Sequence, residues 1–171
     1  TFMRNLAEAA RRADPTRLIA AACLVNHTRK RIEDRLTEFL DVIGINEYYG
    51  WYDENIADLV KIGRNSQPDR PVVISETGAD GAIGKNAPES GLFSTVYMTE
   101  VYRQQLKILR DLDYIKGMSP WILYDFRVER RQNIFQQGFN LKGLIAADKA
   151  TRKPAFEVLA SFYGARARGE L

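Results

Sequence analysis

Carboxylates, amides and aromatic rings gather at the ends of three short apolar runs. The run at residues 42–45 ends in Asn46-Glu47-Tyr48-Tyr49-Gly50-Trp51-Tyr52. The run at 72–74 ends in Ser75-Glu76-Thr77-Gly78, and a further run carries Trp121-Ile122-Leu123-Tyr124-Asp125-Phe126. A carboxylate can act as nucleophile or as general acid/base, and two of them around a glycosidic bond can split it. Ring faces suit the apolar C–H surface of a sugar. Strand neighbours alternate faces, so Glu76 shares its side with Ile74 and Val72. The same alternation puts Asn46 and Tyr48 together and sends Glu47 to the opposite face. Glu47 and Glu76 are therefore not read as a catalytic pair.

Other chemistries are poorly supplied. The 171 residues contain one cysteine, Cys23, and one histidine, His27. That excludes an internal disulfide framework, a Cys-rich zinc site and a multi-His metal centre built from this chain. Cys23 and His27 are four apart, and the reading is a small buried thiol beside a loop imidazole rather than a catalytic dyad. The glycine-rich stretch Gly78-Ala79-Asp80-Gly81-Ala82-Ile83-Gly84-Lys85-Asn86 lacks the first glycine and the hydroxyl residue of a phosphate loop, and reads as a flexible loop. No metal and no organic cofactor is expected. A net charge of +3 is too weak to argue for nucleic acid. No apolar run approaches the roughly 20 residues of a membrane span.

The elements that must hold these residues alternate. Met3, Leu6, Ala7 and Ala10 predict a helix over residues 2–13, ended by Asp14-Pro15-Thr16-Arg17. An apolar run at 18–24 predicts a strand. Ile32, Leu36, Phe39 and Leu40 predict a helix over 30–40. Strands at 42–45 and 72–74 flank a helix around Ile56, Leu59 and Val60, closed by Gly63. A long helix is predicted over 93–112, a fourth strand over 115–124, and a last helix over 154–163 with Pro154 in its first turn. Residues 164–171 (GARARGEL) read as a flexible tail. The order α-β-α-β-α-β-α-β-α gives an α/β fold with a parallel sheet, its apolar strands buried on both faces. In such sheets ligands bind at the C-terminal strand ends, where the polar residues lie. A chain of this length falls short of a complete (β/α)8 barrel, and one that opens inside an amphipathic helix reads as a piece of something longer.

Residues 41–52 (DVIGINEYYGWY) resemble the N-R-Y-Y-G-W-Y segment of β-glucuronidases in glycoside hydrolase family 2. Residues 72–78 (VVISETG) resemble their I-I-T-E-Y-G segment, 121–126 (WILYDF) their W-N-F-A-D-F, and 140–144 (NLKGL) their N-K-K-G-I. Residues 14–17 (DPTR) have a counterpart before the fifth barrel strand. The resemblance runs in order over essentially the whole chain. It implies the C-terminal half of a (β/α)8 TIM barrel, strands five to eight, over residues 1–163.

The resemblance further implies a retaining O-glycosyl hydrolase with Glu76 as nucleophile. Asn46, Tyr48 and Tyr52 line the sugar site, and Trp121 is a platform. Asn140 and Lys142 match the N-x-K pair that holds the carboxylate of a glucuronide, a role that suits an amide and an ammonium. A β-glucuronide is the first substrate class, with a β-galactoside as alternative because related enzymes carry similar N-x-K-G sequences. The family's general acid/base, the Glu of an Asn-Glu pair on strand four, lies before residue 1. A non-catalytic half-barrel, active only when assembled with its N-terminal part, is the reading from another class. Exposed strand edges of a half-barrel predict self-association. Three departures stand out. Glu47 occupies a family arginine position, Thr77 follows the nucleophile in place of Tyr, and the arginine-rich loop 127–139 does not align.

Overall fold

The computed structural model describes residues 2–53, 55–84 and 91–170. The chain divides into two compact units. One holds Thr1–Glu47, Ala57–Thr77 and Leu112–Ser119, and the other Tyr48–Ile56, Gly78–Asp111 and Pro120–Leu171.

The first unit is built on a four-stranded sheet in the order β1 (Ala20–Ala22), β4 (Val42–Asn46), β5 (Val72–Thr77), β6 (Ile115–Pro120). β1 runs parallel to β4, and β4 parallel to β5. Ile43, Ile45, Val72 and Ile74 are almost wholly buried, as continuous apolar strands require. Gly44 is demanded by crowding, since a Cβ there would sit 2.7 Å from the carbonyl oxygen of Ala21 on β1. Helix α1 (Phe2–Ala13) precedes the sheet, and α2 (Asp58–Ser66) buries Leu59 and Ile62. Gly63 lies inside α2, where the Tyr114 ring packs on its Cα. The helix continues beyond it to Ser66 and ends on Gln67 in the left-handed region.

The helix expected over 30–40 does not form. Residues Arg31–Ile32 (β3) instead pair antiparallel with Val25–Asn26 (β2), and a 3-10 helix follows at Arg35–Phe39. Asp34 starts that turn by accepting a hydrogen bond from the Leu36 amide at 2.8 Å. Leu36 and Leu40 still reach the core. The apolar spacing was satisfied by a tighter helix after a hairpin.

The second unit contains α3 (Thr95–Arg110) and α4 (Pro154–Ala167), which pack together, and Met98, Tyr102, Ala155 and Leu159 of these helices are buried. Ser94 caps α3 by accepting from the Tyr97 amide at 3.0 Å. α4 continues four residues past Tyr163, so residues 164–167 are helical rather than tail. The fourth strand ends at Pro120, not at Tyr124. Beyond it the backbone changes partner. Ile122 donates to the Lys142 carbonyl, and Leu144 and Ile145 donate to those of Ile122 and Leu123. The polar connection also holds a short antiparallel pair, β7 (Phe126–Arg127) with β8 (Phe139–Asn140). The glycine-rich loop reading extends over Lys85 and Asn86, which lie outside the described residues.

Candidate active site

In the first unit, the register between β4 and β5 runs Ile43 to Val72, Gly44 to Val73 and Ile45 to Ile74, then shifts so that Asn46 faces Glu76. One extra residue on β5, Ser75, makes the shift, and such irregularities re-aim side chains. The result joins three polar groups. The Asn46 Nδ2 donates to Glu76 Oε2 at 3.4 Å, and Ser75 Oγ donates to Asn46 Oδ1 at 2.8 Å. The serine hydroxyl on Oδ1 fixes the amide's orientation and turns its N–H toward the carboxylate. Asn46 is exposed while Glu47 is 2% exposed, so the two neighbours occupy opposite environments as alternation requires. Asn46 and Glu76 thus meet at the C-terminal ends of adjacent parallel strands.

In the second unit, Lys142 forms the centre of a separate cluster. Its ammonium lies 4.7 Å from the Trp51 ring centroid, 5.0 Å from Tyr52 and 5.9 Å from Tyr48. These are cation–π distances. Its charge is met by Asp80, which is fully buried. The other oxygen of Asp80 accepts from the Leu141 amide at 2.9 Å and from Gln136 Nε2 at 3.1 Å. Arg131 Nη1 stands 3.8 Å from Asp80 Oδ2. Burial works against ionisation of the Tyr52 phenol. The charge of Lys142 and hydrogen bonds from Lys142 and Arg131 outweigh it and hold the phenol below its ordinary value.

The segment 140–143 that presents Lys142 is fixed from several sides. Asn140 Oδ1 accepts from the Lys142 amide at 3.0 Å. Asp125 Oδ1 accepts from the Gly143 amide at 2.8 Å and from Lys153 Nζ at 2.7 Å. Lys153 also donates to the Leu141 carbonyl at 2.8 Å. Burial pushes the Asp125 carboxyl up and the Lys153 ammonium down, each against the pull of the other. A Cβ on Gly143 would lie 2.1 Å from the Asp125 backbone nitrogen, so only glycine fits there.

Of the residues singled out in the sequence, Asn46 and Glu76 are joined in one unit, and Tyr48, Tyr52 and Lys142 in the other. Asn140 sits beneath Lys142 as a turn-former. Trp121 packs edge-on against Phe126, 6.2 Å between centroids, whereas the rings around Lys142 are Tyr48, Trp51 and Tyr52. Sequence reasoning missed Asp80 and Arg131. Asp80 sits in a glycine-rich stretch that carries no periodic signal. Arg131 lies in the loop with no alignable pattern. Cys23 is buried, and burial, reinforced by Asp34, pushes its thiol up to about 11, which suits packing rather than nucleophilic chemistry. Among the described residues, no group of three or more His, Cys, Asp or Glu is placed to hold a metal ion. No described helix is long and apolar enough to cross a membrane.

The family model for glycosyl hydrolases family 2, TIM barrel domain, matches residues 1–165. A β-glucuronidase of Paenibacillus borealis is 28% identical over 173 residues, which cover 95% of this chain and 28% of the relative. An FMN-binding β-glucuronidase from Facaelibacterium prausnitzii L2-6 superposes with a TM-score of 0.79 at 28% identity, over 94% of this chain and 25% of that one. A β-D-glucuronidase of Dictyoglomus thermophilum gives 0.76 at 26% identity, over 95% of this chain and 28% of the other. The chain therefore spans about a quarter of the length of these relatives.

Proposed function

This chain belongs to glycosyl hydrolase family 2 and carries part of its TIM barrel domain, and on that footing we propose that it supplies the nucleophile of a retaining β-glucuronidase. The observation that carries the reading is the Asn46–Glu76 contact at the C-terminal ends of β4 and β5. In a barrel that rim is where catalytic residues collect. The names of the relatives support the glucuronide.

In this mechanism the Glu76 carboxylate attacks the anomeric carbon, and a bond from C1 to its oxygen forms as the bond to the leaving oxygen breaks. A general acid protonates that leaving oxygen. The family resemblance implies that this acid is the Glu of an Asn-Glu pair on the fourth barrel strand. Water, deprotonated by the same group, then attacks C1 and releases Glu76 as a carboxylate. Asn46 holds the carboxylate in line through its amide. Asn140 and Lys142 define the subsite for the sugar's own carboxylate, Tyr48 and Tyr52 form its aromatic wall, and Trp121 is a platform for the sugar.

The test uses the longest natural polypeptide that carries this sequence. It compares hydrolysis of an aryl β-glucuronide with that of the matching β-galactoside. The proposal expects preference for the glucuronide, and loss of roughly 10³-fold or more in kcat with Glu76→Gln. Preference for the galactoside overturns the glucuronide specificity. Activity that survives Glu76→Gln overturns the nucleophile. The 171 residues alone are expected to turn over poorly activated glycosides negligibly, since missing acid–base help is worth about 10²–10⁴-fold.

A further inference from the structure

The aromatic segment beside Lys142 is held by one stripe of α3, within the second unit. Tyr97, Val101 and Gln105 stand at i, i+4 and i+8, so they share a face of that helix over roughly 12 Å of its length. All three meet the turn at Tyr49 and Gly50. Gln105 Nε2 donates to the Tyr49 carbonyl at 2.7 Å, and Tyr97 Oη donates to the Gly50 carbonyl at 2.6 Å. Between them Val101 closes on Gly50, where a Cβ would lie 3.1 Å from the valine Cγ1. Gln105 is 1% exposed and Tyr49 is fully buried. Burying an amide is costly unless its hydrogen bonds are made, and this one is made to the segment that carries the rings. The turn passes that hold on. The Trp51 and Tyr52 amides both donate to the Tyr48 carbonyl, at 2.9 and 3.0 Å, and the Gly50 amide donates to that of Asp53 at 2.6 Å. The Tyr48 and Tyr52 rings, 5.1 Å apart between centroids, therefore sit on one closed turn and shift together when its carbonyls shift.

We propose that Gln105 is a positioning residue for sugar binding, which together with Tyr97 fixes the Tyr49 and Gly50 carbonyls and so sets the placement of the Tyr48 and Tyr52 rings against the sugar. The proposal rests on the aromatic-wall reading above and deepens it by naming what holds the wall. Gln105 acts through the backbone, from a buried position on α3. The stakes of such placement are high, since a displacement of about 1 Å can cost an enzyme about 10²-fold in rate. Without the Gln105 donor the Tyr49 carbonyl loses that partner inside the protein, and the turn relaxes to recover one.

The experiment measures KM and kcat for an aryl β-glucuronide with the longest natural polypeptide carrying this sequence. Gln105→Met, Tyr97→Phe, Tyr52→Ala and Leu106→Ala are measured beside it, with melting temperatures taken in parallel and assays run well below them. Leu106 lies off the stripe and lines a groove with Val158 and Phe162 of α4, so Leu106→Ala loosens the helix without touching the turn. Gln105→Met is expected to raise KM about tenfold with kcat within about threefold, because binding contacts rather than the reacting bond are disturbed. Tyr97→Phe moves KM in the same direction by about threefold, and it loses only a hydroxyl, so it carries the test if Gln105→Met does not fold. Leu106→Ala melts at a lower temperature with KM within about twofold. If Tyr52→Ala raises KM while Gln105→Met and Tyr97→Phe leave it unchanged, the positioning role falls and the wall stands. If Leu106→Ala raises KM as much as Gln105→Met does, the effect is general destabilisation and the assignment falls. If Tyr52→Ala leaves KM unchanged, or the natural protein does not hydrolyse the glucuronide, the reading beneath the proposal falls and takes it along.

Discussion

Asn46 and Glu76 face each other only because β4 and β5 slip register by one residue after Ile45 and Ile74. Without the slip, Ser75 rather than Glu76 would stand opposite Asn46. The amide at 3.4 Å is then held by the Ser75 hydroxyl at 2.8 Å, so two consecutive hydrogen bonds fix one carboxylate.

That chain of contacts gives the first prediction. Asn46→Ala removes the amide from Glu76 and is expected to lower kcat/KM by about 10–100-fold. Asn46 is exposed, so the melting temperature should change little. Ser75→Ala is expected to produce a smaller loss in the same direction. Steady-state kinetics on the longest natural polypeptide read both, and an Asn46→Ala enzyme with unchanged kcat/KM counts against the role of the amide.

The Asp125–Lys153 pair gives a prediction on stability. Both side chains are almost fully buried, so removing one charge strands the other. Lys153→Met is expected to cost about 3–5 kcal/mol in unfolding free energy, and Lys153→Met with Asp125→Leu to recover part of that. Denaturant unfolding of the parent, the Lys153→Met and Asp125→Leu single variants and the double variant decides it. Additive losses in the double variant contradict a coupled pair.

Gly143 tests the close approach beside Lys142. Gly143→Ala forces a Cβ against the Asp125 backbone nitrogen, at 2.1 Å before relaxation. It is expected to destabilise by about 1–3 kcal/mol or more, because backbone has to move. Gly84→Ala makes an instructive control. It meets no atom of the described residues within 4 Å, and a φ of +80° gives it a backbone cost.

Tyr52 provides a prediction in pH. Its phenol is held below the ordinary value, with burial opposing and the two cations driving the shift. Between the lowered folded value and the ordinary unfolded one, the unfolded chain binds more protons at this site. Stability from this group therefore rises with pH through that window, and is lost as pH falls through the folded value. Lys142→Met is expected to move the Tyr52 titration upward. An unmoved titration contradicts the coupling between the phenol and Lys142.

Much of this arrangement was legible in the residues. The continuous apolar runs around Ile43 and Ile74 announced buried parallel strands, and alternation alone separated Asn46 from Glu47. Pro154 and the spacing around Ala7 located helices. The rest depended on contacts between residues distant in sequence. The stretch from Lys30 to Leu40 carried helical spacing but folded as a hairpin and a short 3-10 turn, because pairing of Val25 with Ile32 decided its start. Residues 122–124 looked like strand, yet the backbone hydrogen bonds of Ile122 and Leu123 go to residues 142–145. Asp80 gave no sign of its role, since its partners Leu141 and Lys142 lie 61 and 62 positions away. The central claim, a covalent role for Glu76, is an expectation from the resemblance of residues 72–78 to the family's I-I-T-E-Y-G segment, since a carboxylate at a strand end alone carries no such assignment.

The most direct measurement of that claim is acid-quench mass spectrometry of the longest natural polypeptide during turnover of an activated aryl β-glucuronide. Retention through a covalent intermediate predicts a glycosyl adduct on the peptide containing Glu76, absent in Glu76→Gln. An adduct on any other residue, or a product of inverted anomeric configuration with no adduct, contradicts it.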